Sequence, residues 1–100
     1  MKRLRDAVLC TTMWSKLRGL MFSPKRALVF VFDRDERVPL HMWFVFFPID
    51  VLYLDRQRRV VEIKKGLRPF AFYAPRNKAR YVVEIPGKTT VKVGDVVTFK

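Results

Sequence analysis

Few of the residues that usually build reactive centres occur in this chain. Cys10 is the only cysteine and His41 the only histidine among 100 residues. One cysteine excludes an internal disulfide, and so small a supply of thiol and imidazole excludes a zinc site built from several such ligands. We therefore predict no metal site and no cofactor. Cys10 and His41 are interpreted as a packed thiol and a hydrogen-bonded core histidine, in preference to a reactive thiol-imidazole pair.

Acidic residues and side-chain amides are scarce as well. Gln57 and Asn77 are the only amides, a depletion typical of proteins from very hot environments. Nine acidic residues stand against 21 lysines and arginines, which gives a net charge of +12. Such a balance favours an anionic partner, for example RNA or another polyanion. The competing interpretation is that the cations cover the surface of a thermophilic protein and form ion-pair networks.

No apolar run is clean enough to cross a membrane. The stretch from residue 38 to residue 54 is interrupted by two prolines, a histidine and a carboxylate, which break helical hydrogen bonding or carry a large cost in lipid. The charged first six residues lead into no segment of signal-peptide length. We therefore predict a cytoplasmic protein without membrane contact.

The spacing of apolar residues predicts one domain, residues 1–100, that is mainly β. Strands are expected at residues 6–12, 28–32, 40–47, 51–54, 59–65, 81–85, 89–93 and 96–99. A polar turn is predicted at 33–37, a hairpin turn at 55–58 and a long ordered loop at 67–78. One short N-terminal helix is expected, capped by Thr11 or Thr12 and stopped by Ser23-Pro24. These elements favour a compact antiparallel β barrel or sandwich.

The strand pattern also predicts which side chains face the core. Val61 and Ile63 are expected to face inward and Glu84 outward. The chain is predicted to be a monomer or a weak dimer, and exposure of Trp43 or Phe47 in an apolar patch would favour the dimer.

Asp50 is the one acidic residue inside the longest apolar stretch. A buried carboxylate without partners costs several kcal/mol, so Asp50 needs hydrogen-bond donors unless it is solvent-exposed. Backbone N–H groups near Pro48, or the guanidinium of Arg18, would supply them. Alternatively, Asp50 lines a pocket as a general acid or base, or binds a hydroxyl or amine of a ligand.

Four blocks of sequence resemble the family known as domain of unknown function 192 (DUF192). In order and spacing the resemblance covers about residues 12–99 and rests on Arg18-Gly19-Leu20-Met21-Phe22, Pro48-Ile49-Asp50-Val51-Leu52-Tyr53-Leu54-Asp55, Tyr81-Val82-Val83-Glu84-Ile85-Pro86-Gly87 and Val93-Gly94-Asp95-Val96-Val97. It implies a small, mostly β domain with no established reaction, cofactor or substrate.

One segment departs from the family pattern. Trp43, Phe44 and Val45 stand where many members carry a polar stretch after the methionine that corresponds to Met42. The motif residues that remain make up a candidate pocket, which consists of Arg18, Met21, His41, Met42, Asp50, Glu84 and Asp95. For Asp95, beside Gly94, hydrogen bonding within a turn is the simpler interpretation.

A basic and aromatic segment at residues 67–80 forms a second candidate site. Rings beside cations are typical of single-stranded nucleic-acid sites, in which bases stack on aromatic side chains and cations contact phosphates. Alternatively, the rings plug one end of the barrel. The candidate contacts are Arg68, Phe70, Phe72, Tyr73, Arg76, Lys78 and Arg80.

These features leave three functions open. The preferred one is a non-enzymatic ligand-binding or interaction module with a basic surface that attracts anions. The second is binding of single-stranded RNA through residues 67–80. The third is a small enzyme, or a binder of sugar-type ligands, centred on Asp50 and Glu84.

Overall fold

The computed structural model describes residues 2–4, 8–10, 27–38, 40–41, 48–69 and 71–99. The helix predicted between Thr11 and Ser23 lies outside these ranges, as does most of the apolar strand predicted at 40–47. Four candidate site residues also lie outside them, namely Arg18, Met21, Met42 and Phe70. For His41 the structure describes only the backbone.

Within the described ranges the chain forms β-strands. The strands are β1 (Lys2–Arg3), β2 (Val8–Cys10), β3 (Leu28–Glu36), β4 (Leu40–His41), β5 (Ile49–Leu54), β6 (Val60–Leu67), β7 (Phe72–Tyr73), β8 (Ala79–Pro86) and β9 (Val97–Thr98). Five of them form one sheet in the order β2-β3-β8-β5-β6, and the rest form the pairs β1-β9 and β4-β7. The β2-β3 and β1-β9 pairs are parallel and the others antiparallel. The prediction of a mainly antiparallel β protein is confirmed.

The central sheet carries apolar side chains on both faces. β5 is an inner strand whose six residues are all buried, which matches its nearly continuous apolar sequence. One face, called here the tyrosine face, holds the cluster Leu28, Phe30, Ile49, Val51, Tyr53, Leu67, Ala79 and Val82. The opposite face, called the valine face, holds Val29, Leu52, Leu54, Val60, Val83, Val91 and Val97. The buried polar side chains of this sheet, Asp50 and Glu84, therefore lie within apolar layers, where a polar group without a hydrogen-bond partner is costly.

Two of the sequence-based element predictions are wrong. The turn predicted at residues 33–37 is the continuation of β3, whose far end pairs Glu36 with Ala79 of β8. The strand predicted at 89–93 does not form. There the N–H groups of Thr89 and Lys92 donate to the carboxylates of Asp50 and Asp95 instead of to a neighbouring strand. The loop predicted at 67–78 is correct except that it contains the short strand β7.

Irregular pairing between β5 and β6 changes where β6 side chains point. The register shifts between Tyr53 and Leu54, so that Val61 packs against the tyrosine face while Ile63 packs against the valine face. Both side chains contact the core as predicted, but on opposite sides. The extra residue of this bulge interrupts the alternation of side chains between the two faces. Glu62 therefore lies opposite Tyr53, its partner in the neighbouring strand.

The part of the chain that the structure describes contains no helix with the length and apolarity required to span a bilayer.

Candidate functional site

Asp50 fastens two segments to the centre of the sheet. It is 2% exposed, its Oδ1 accepts the N–H of Gly66 at 2.8 Å, and its Oδ2 accepts the N–H of Thr89 at 2.8 Å. The register of the β5-β6 pair also shifts between Ile49 and Val51, and Gly66 of β6 lies opposite this shift. Gly66 has a φ of 61°, a conformation that glycine adopts without strain. The carboxylate thus receives backbone donors, as the sequence required, but from β6 and from the segment after β8 rather than from the Pro48 corner.

Glu84 is the second buried carboxylate of the sheet. It lies in β8 between Leu28 of β3 and Val51 of β5 and is 7% exposed, so the prediction that it faces solvent is wrong. The prediction assumed that one face of β8 lies in solvent. At this position apolar layers cover both faces of the sheet. Burial raises the pKa of Glu84 to about 7.

Asp50 and Glu84 are on adjacent strands but point to opposite faces. Glu84 is aligned with Val51, whereas Asp50 is aligned with Ile85. Because successive side chains alternate, Glu84 shares the tyrosine face with Val51 and Tyr53, and Asp50 is on the valine face. The effect of Glu84 on the pKa of Tyr53 agrees with this placement. The structure therefore does not bring the two carboxylates together around one substrate.

A line of polar groups runs from the buried tyrosine face to its exposed rim. Tyr53 is fully buried, its hydroxyl donates to the Val38 carbonyl oxygen at 3.5 Å, and its ring lies 6.0 Å from the ring of Tyr73. Burial, followed by the nearby Tyr73, Glu62 and Glu84, raises the pKa of Tyr53. The Tyr73 hydroxyl donates to Glu62, and this hydrogen bond raises the pKa of Tyr73. Tyr73 therefore packs against the tyrosine face.

Glu62 anchors the segment that follows β7. Its carboxylate accepts the N–H groups of Arg76 at 3.0 Å and Asn77 at 2.9 Å, the Asn77 Nδ2 at 2.9 Å, and the Tyr73 hydroxyl. Partial burial acts to raise the pKa of Glu62, but these hydrogen bonds outweigh burial and hold that pKa below its ordinary value. One carboxylate thereby fixes the backbone at residues 73–77.

Replacing Glu62 with alanine should loosen residues 73–77 while the central sheet persists. We expect the amide protons of Arg76 and Asn77 to exchange with solvent at least about tenfold faster, because each loses a charged acceptor. Hydrogen-exchange NMR measures this rate. Glu62→Gln is the matched control, since its carbonyl oxygen still accepts both amides and should preserve most of the protection. Unchanged exchange in Glu62→Ala would show that Glu62 does not anchor the segment.

The cations of residues 67–80 lie mostly in solvent. Arg68, Arg76 and Lys78 are exposed, whereas Arg80 is half-buried and pairs through Nε with Asp35 Oδ1 at 3.2 Å. Phe72, which precedes the packed Tyr73, is 67% exposed. The structure thus separates the predicted contacts into an exposed group, namely Arg68, Phe72, Arg76 and Lys78, and the two held side chains Tyr73 and Arg80.

Most carboxylates that the structure describes bind backbone amides or are buried, and only Asp35 forms an ion pair with a cation. Asp55 Oδ1 accepts the N–H groups of Gln57 and Arg59, each at 2.9 Å, and Asp95 Oδ2 accepts that of Lys92 at 2.9 Å, which is the hydrogen bonding within a turn expected of Asp95. Asp50 and Glu62 act in the same way. The Arg80–Asp35 contact is the sole ion pair within the described ranges. Contacts with carboxylates therefore neutralise little of the positive surface described.

The structure describes no group of three or more histidine, cysteine, aspartate or glutamate side chains able to hold a metal ion. The sequence pattern had not singled out Glu62 or Tyr53. The only feature of the sequence that could have identified Glu62 is that it is a single acidic residue among neighbouring cations.

The profile of the family described as "Uncharacterized ACR", domain of unknown function 192, matches residues 2–99. The chain belongs to the DUF192 family. A "UPF0127 protein" of Thermococcus sibiricus is 40% identical to this DUF192 chain over 79 residues, which cover 75% of the chain and 51% of that relative. A "UPF0127 protein" of Thermococcus gammatolerans is 36% identical over 99 residues, covering 91% of the chain and 64% of the relative. The chain thus spans between half and two thirds of the length of these relatives.

Solved structures share the fold. A protein of unknown function from Novosphingobium aromaticivorans has a TM-score of 0.72 and 22% identity, with 81% of this chain and 62% of that one covered. A second structure, from Sinorhizobium meliloti, also has a TM-score of 0.72 and 22% identity, with 80% and 67% covered. At this identity the likeness concerns the fold alone.

Proposed function

We propose that this DUF192 chain is a binding module for polyanions, and that the exposed cations of residues 63–83, called here the basic segment, form its contact surface. The supporting observation is that most of the described carboxylates accept hydrogen bonds from backbone amides. They therefore do not neutralise neighbouring cations through direct contact, and they are Asp50, Asp55, Glu62 and Asp95. With a net charge of +12, the chain is expected to attract anions over distances of several ångströms.

The composition of the basic segment supports this choice of surface. It contains no acidic residue, and its cations are Lys64, Lys65, Arg68, Arg76, Lys78 and Arg80. Two of them are engaged locally, since Arg80 pairs with Asp35 and Lys65 Nζ donates to the Thr89 carbonyl oxygen at 3.0 Å. Lys64 Nζ lies 5.7 Å from the centre of the Tyr73 ring. The exposed cations Arg68, Arg76 and Lys78 are left to contact a ligand.

The anchoring by Glu62 supports binding as well. A surface held in one conformation before it meets its ligand loses less conformational entropy on binding than a loose one. Glu62 holds the backbone of Arg76 and Asn77, so the base of the Arg76 side chain is positioned while its guanidinium stays exposed.

An enzyme or sugar-type binder centred on Asp50 and Glu84 receives less support. The two side chains lie on opposite faces of the sheet, and both oxygens of Asp50 already accept backbone donors. A general acid and base that share one substrate must both be within hydrogen-bond reach of it.

Removing two charges from the basic segment should weaken polyanion binding. We expect the double variant Arg76→Gln/Lys78→Gln to elute from immobilised heparin at clearly lower NaCl concentration than the unsubstituted chain, because each cation that contacts the polymer displaces a counterion. The control Lys88→Gln/Lys92→Gln removes the same charge at exposed positions outside the segment and should elute close to the unsubstituted chain.

An equal shift for both double variants would show that net charge alone determines retention, and would overturn the assignment of the surface. Absence of retention of the unsubstituted chain at low salt would overturn the proposal as a whole.

A further inference from the structure

We propose that the polyanion is a single-stranded nucleic acid, with a base stacked on Phe72 and the neighbouring phosphates contacted by Arg68, Arg76 and Lys78. This inference rests on the proposed function and names its ligand. Single strands are the polyanions that offer both phosphates and unpaired aromatic faces, so a site for them needs an exposed ring among cations.

Phe72 has the exposure that such a site requires. Among the residues that the structure describes, Phe72 at 67% and Val93 at 63% are the large hydrophobic side chains exposed to solvent. Leaving most of a phenyl ring in water forgoes part of the favourable free energy of burial. Phe72 therefore offers a largely exposed ring on which a base could stack.

The strand geometry explains why Phe72 points outward. β7 consists of Phe72 and Tyr73, and successive side chains of a strand point in opposite directions. Tyr73 is directed inward by its hydrogen bond to Glu62 and its contact with Tyr53. Phe72 is consequently directed away from the tyrosine face, and the pairing of β7 with β4 fixes the backbone beneath it. The ring is a positioned platform rather than a plug.

Three exposed cations that flank Phe72 in the sequence would complement a phosphate chain. Arg68 precedes the ring by four residues, Arg76 follows by four and Lys78 by six, and all three are exposed. The basic segment itself contains no acidic residue, and the nearby carboxylate of Glu62 accepts the N–H groups of Arg76 and Asn77 and the Tyr73 hydroxyl rather than pairing with a cation. A base on the ring would thus have cations available for the phosphates on either side along the chain, and the resulting affinity should fall steeply with salt.

A comparison of anionic ligands with and without exposed bases distinguishes stacking on Phe72 from attraction by charge alone. Duplex nucleic acid carries phosphates but keeps its base faces stacked, and heparin carries anionic groups without bases. If Phe72 stacks on a base, its removal must weaken binding to single strands and leave heparin retention nearly unchanged. An acidic protein partner would behave like heparin in this respect.

The test uses the 100-residue chain and fluorescently labelled 12-nucleotide single-stranded RNA and DNA of mixed sequence, with fluorescence anisotropy as the measurement. Phe72→Ala should raise the dissociation constant for the single strands roughly tenfold or more, by loss of one stacked base. The matched control Val93→Ala removes an almost equally exposed hydrophobic side chain elsewhere and should change it less than about twofold. Phe72→Trp, which retains a stacking surface, should restore binding.

The outcomes distinguish the two proposals. If Phe72→Ala and Val93→Ala bind single strands equally well while Arg76→Gln/Lys78→Gln weakens binding to heparin, the stacking inference is overturned and the polyanion function stands. Duplex that binds as tightly as single strands would also overturn the stacking inference alone. If the charge variants also leave every affinity unchanged, both proposals fail. Because Phe72 is exposed, circular dichroism and the melting temperature of Phe72→Ala should match those of the unsubstituted chain.

Discussion

Asp50→Ala is expected to lower the free energy of unfolding by about 3–5 kcal/mol at pH 7, because hydrogen bonds to a charged acceptor contribute about 1.5–3 kcal/mol each and Asp50 accepts two. The loss includes the cost of leaving the N–H groups of Gly66 and Thr89 without an acceptor in a buried position. Guanidinium denaturation, followed by tryptophan fluorescence or circular dichroism, measures the change as a shift of the midpoint.

Two further variants make the Asp50 prediction specific. Asp50→Asn keeps one carbonyl acceptor and should lose roughly half as much stability. Asp33→Ala removes an exposed carboxylate from β3 and should stay within about 0.5 kcal/mol of the unsubstituted chain. A stable Asp50→Ala protein, within about 1 kcal/mol of the unsubstituted chain, would show that the two hydrogen bonds do not fasten β6 and the segment after β8.

Where the Asp50 variant yields too little folded protein for denaturation, hydrogen exchange of Asp50→Asn supplies the measurement. Either the Gly66 amide or the Thr89 amide should lose protection, since one amide oxygen replaces two carboxylate oxygens. Full protection of both amides would contradict the role assigned to Asp50.

Glu84→Gln is expected to make the stability of the chain less dependent on pH and to stabilise it above neutral pH. Burial raises the pKa of Glu84 from 4.5 in an exposed chain to about 7 in the fold. At one pKa unit per 1.36 kcal/mol, the ionised form is destabilised by roughly 3 kcal/mol. Glutamine resembles the protonated acid in shape and stays neutral, so the variant avoids that penalty.

The direction of the pH effect follows from the number of protons bound. Between pH 4.5 and about 7 the unfolded chain has released the Glu84 proton while the folded chain retains it, so the stability of the unsubstituted chain falls as pH rises through this window. Below pH 4.5 both states are protonated and the penalty is absent. Above about pH 7 both are ionised and the penalty is constant.

Denaturation of both proteins at pH 4, 6 and 8 tests the Glu84 prediction. The variant should exceed the unsubstituted chain by about 2–3 kcal/mol at pH 8, and by a much smaller amount at pH 4. The comparison at pH 4 serves as the control, because it contains every effect of the substitution except the charge. An equal difference at pH 4 and pH 8 would show that Glu84 does not titrate inside the sheet.

The β class of the protein could be predicted from local patterns. Alternation and β-branched residues located β3, β5, β6 and β8, and the turn at residues 55–58 followed from its polar sequence. The errors arose where pairing overrode local preference. Polar residues up to Glu36 continue β3 because they pair with β8, and residues 89–93 are not a strand because carboxylates take their amide protons.

The family, the mainly β class, the charge of +12 and the lack of a second cysteine or histidine follow from the amino-acid sequence. The fold was needed to show that Asp50 and Glu84 point to opposite faces, that Glu62 anchors the basic segment and that Tyr73 packs while Phe72 is exposed. The physical reason is the range of the interactions. Composition and alternation are local properties, whereas register, bulges and a bond such as that between Asp50 and Thr89, 39 residues apart, exist only once distant strands have paired.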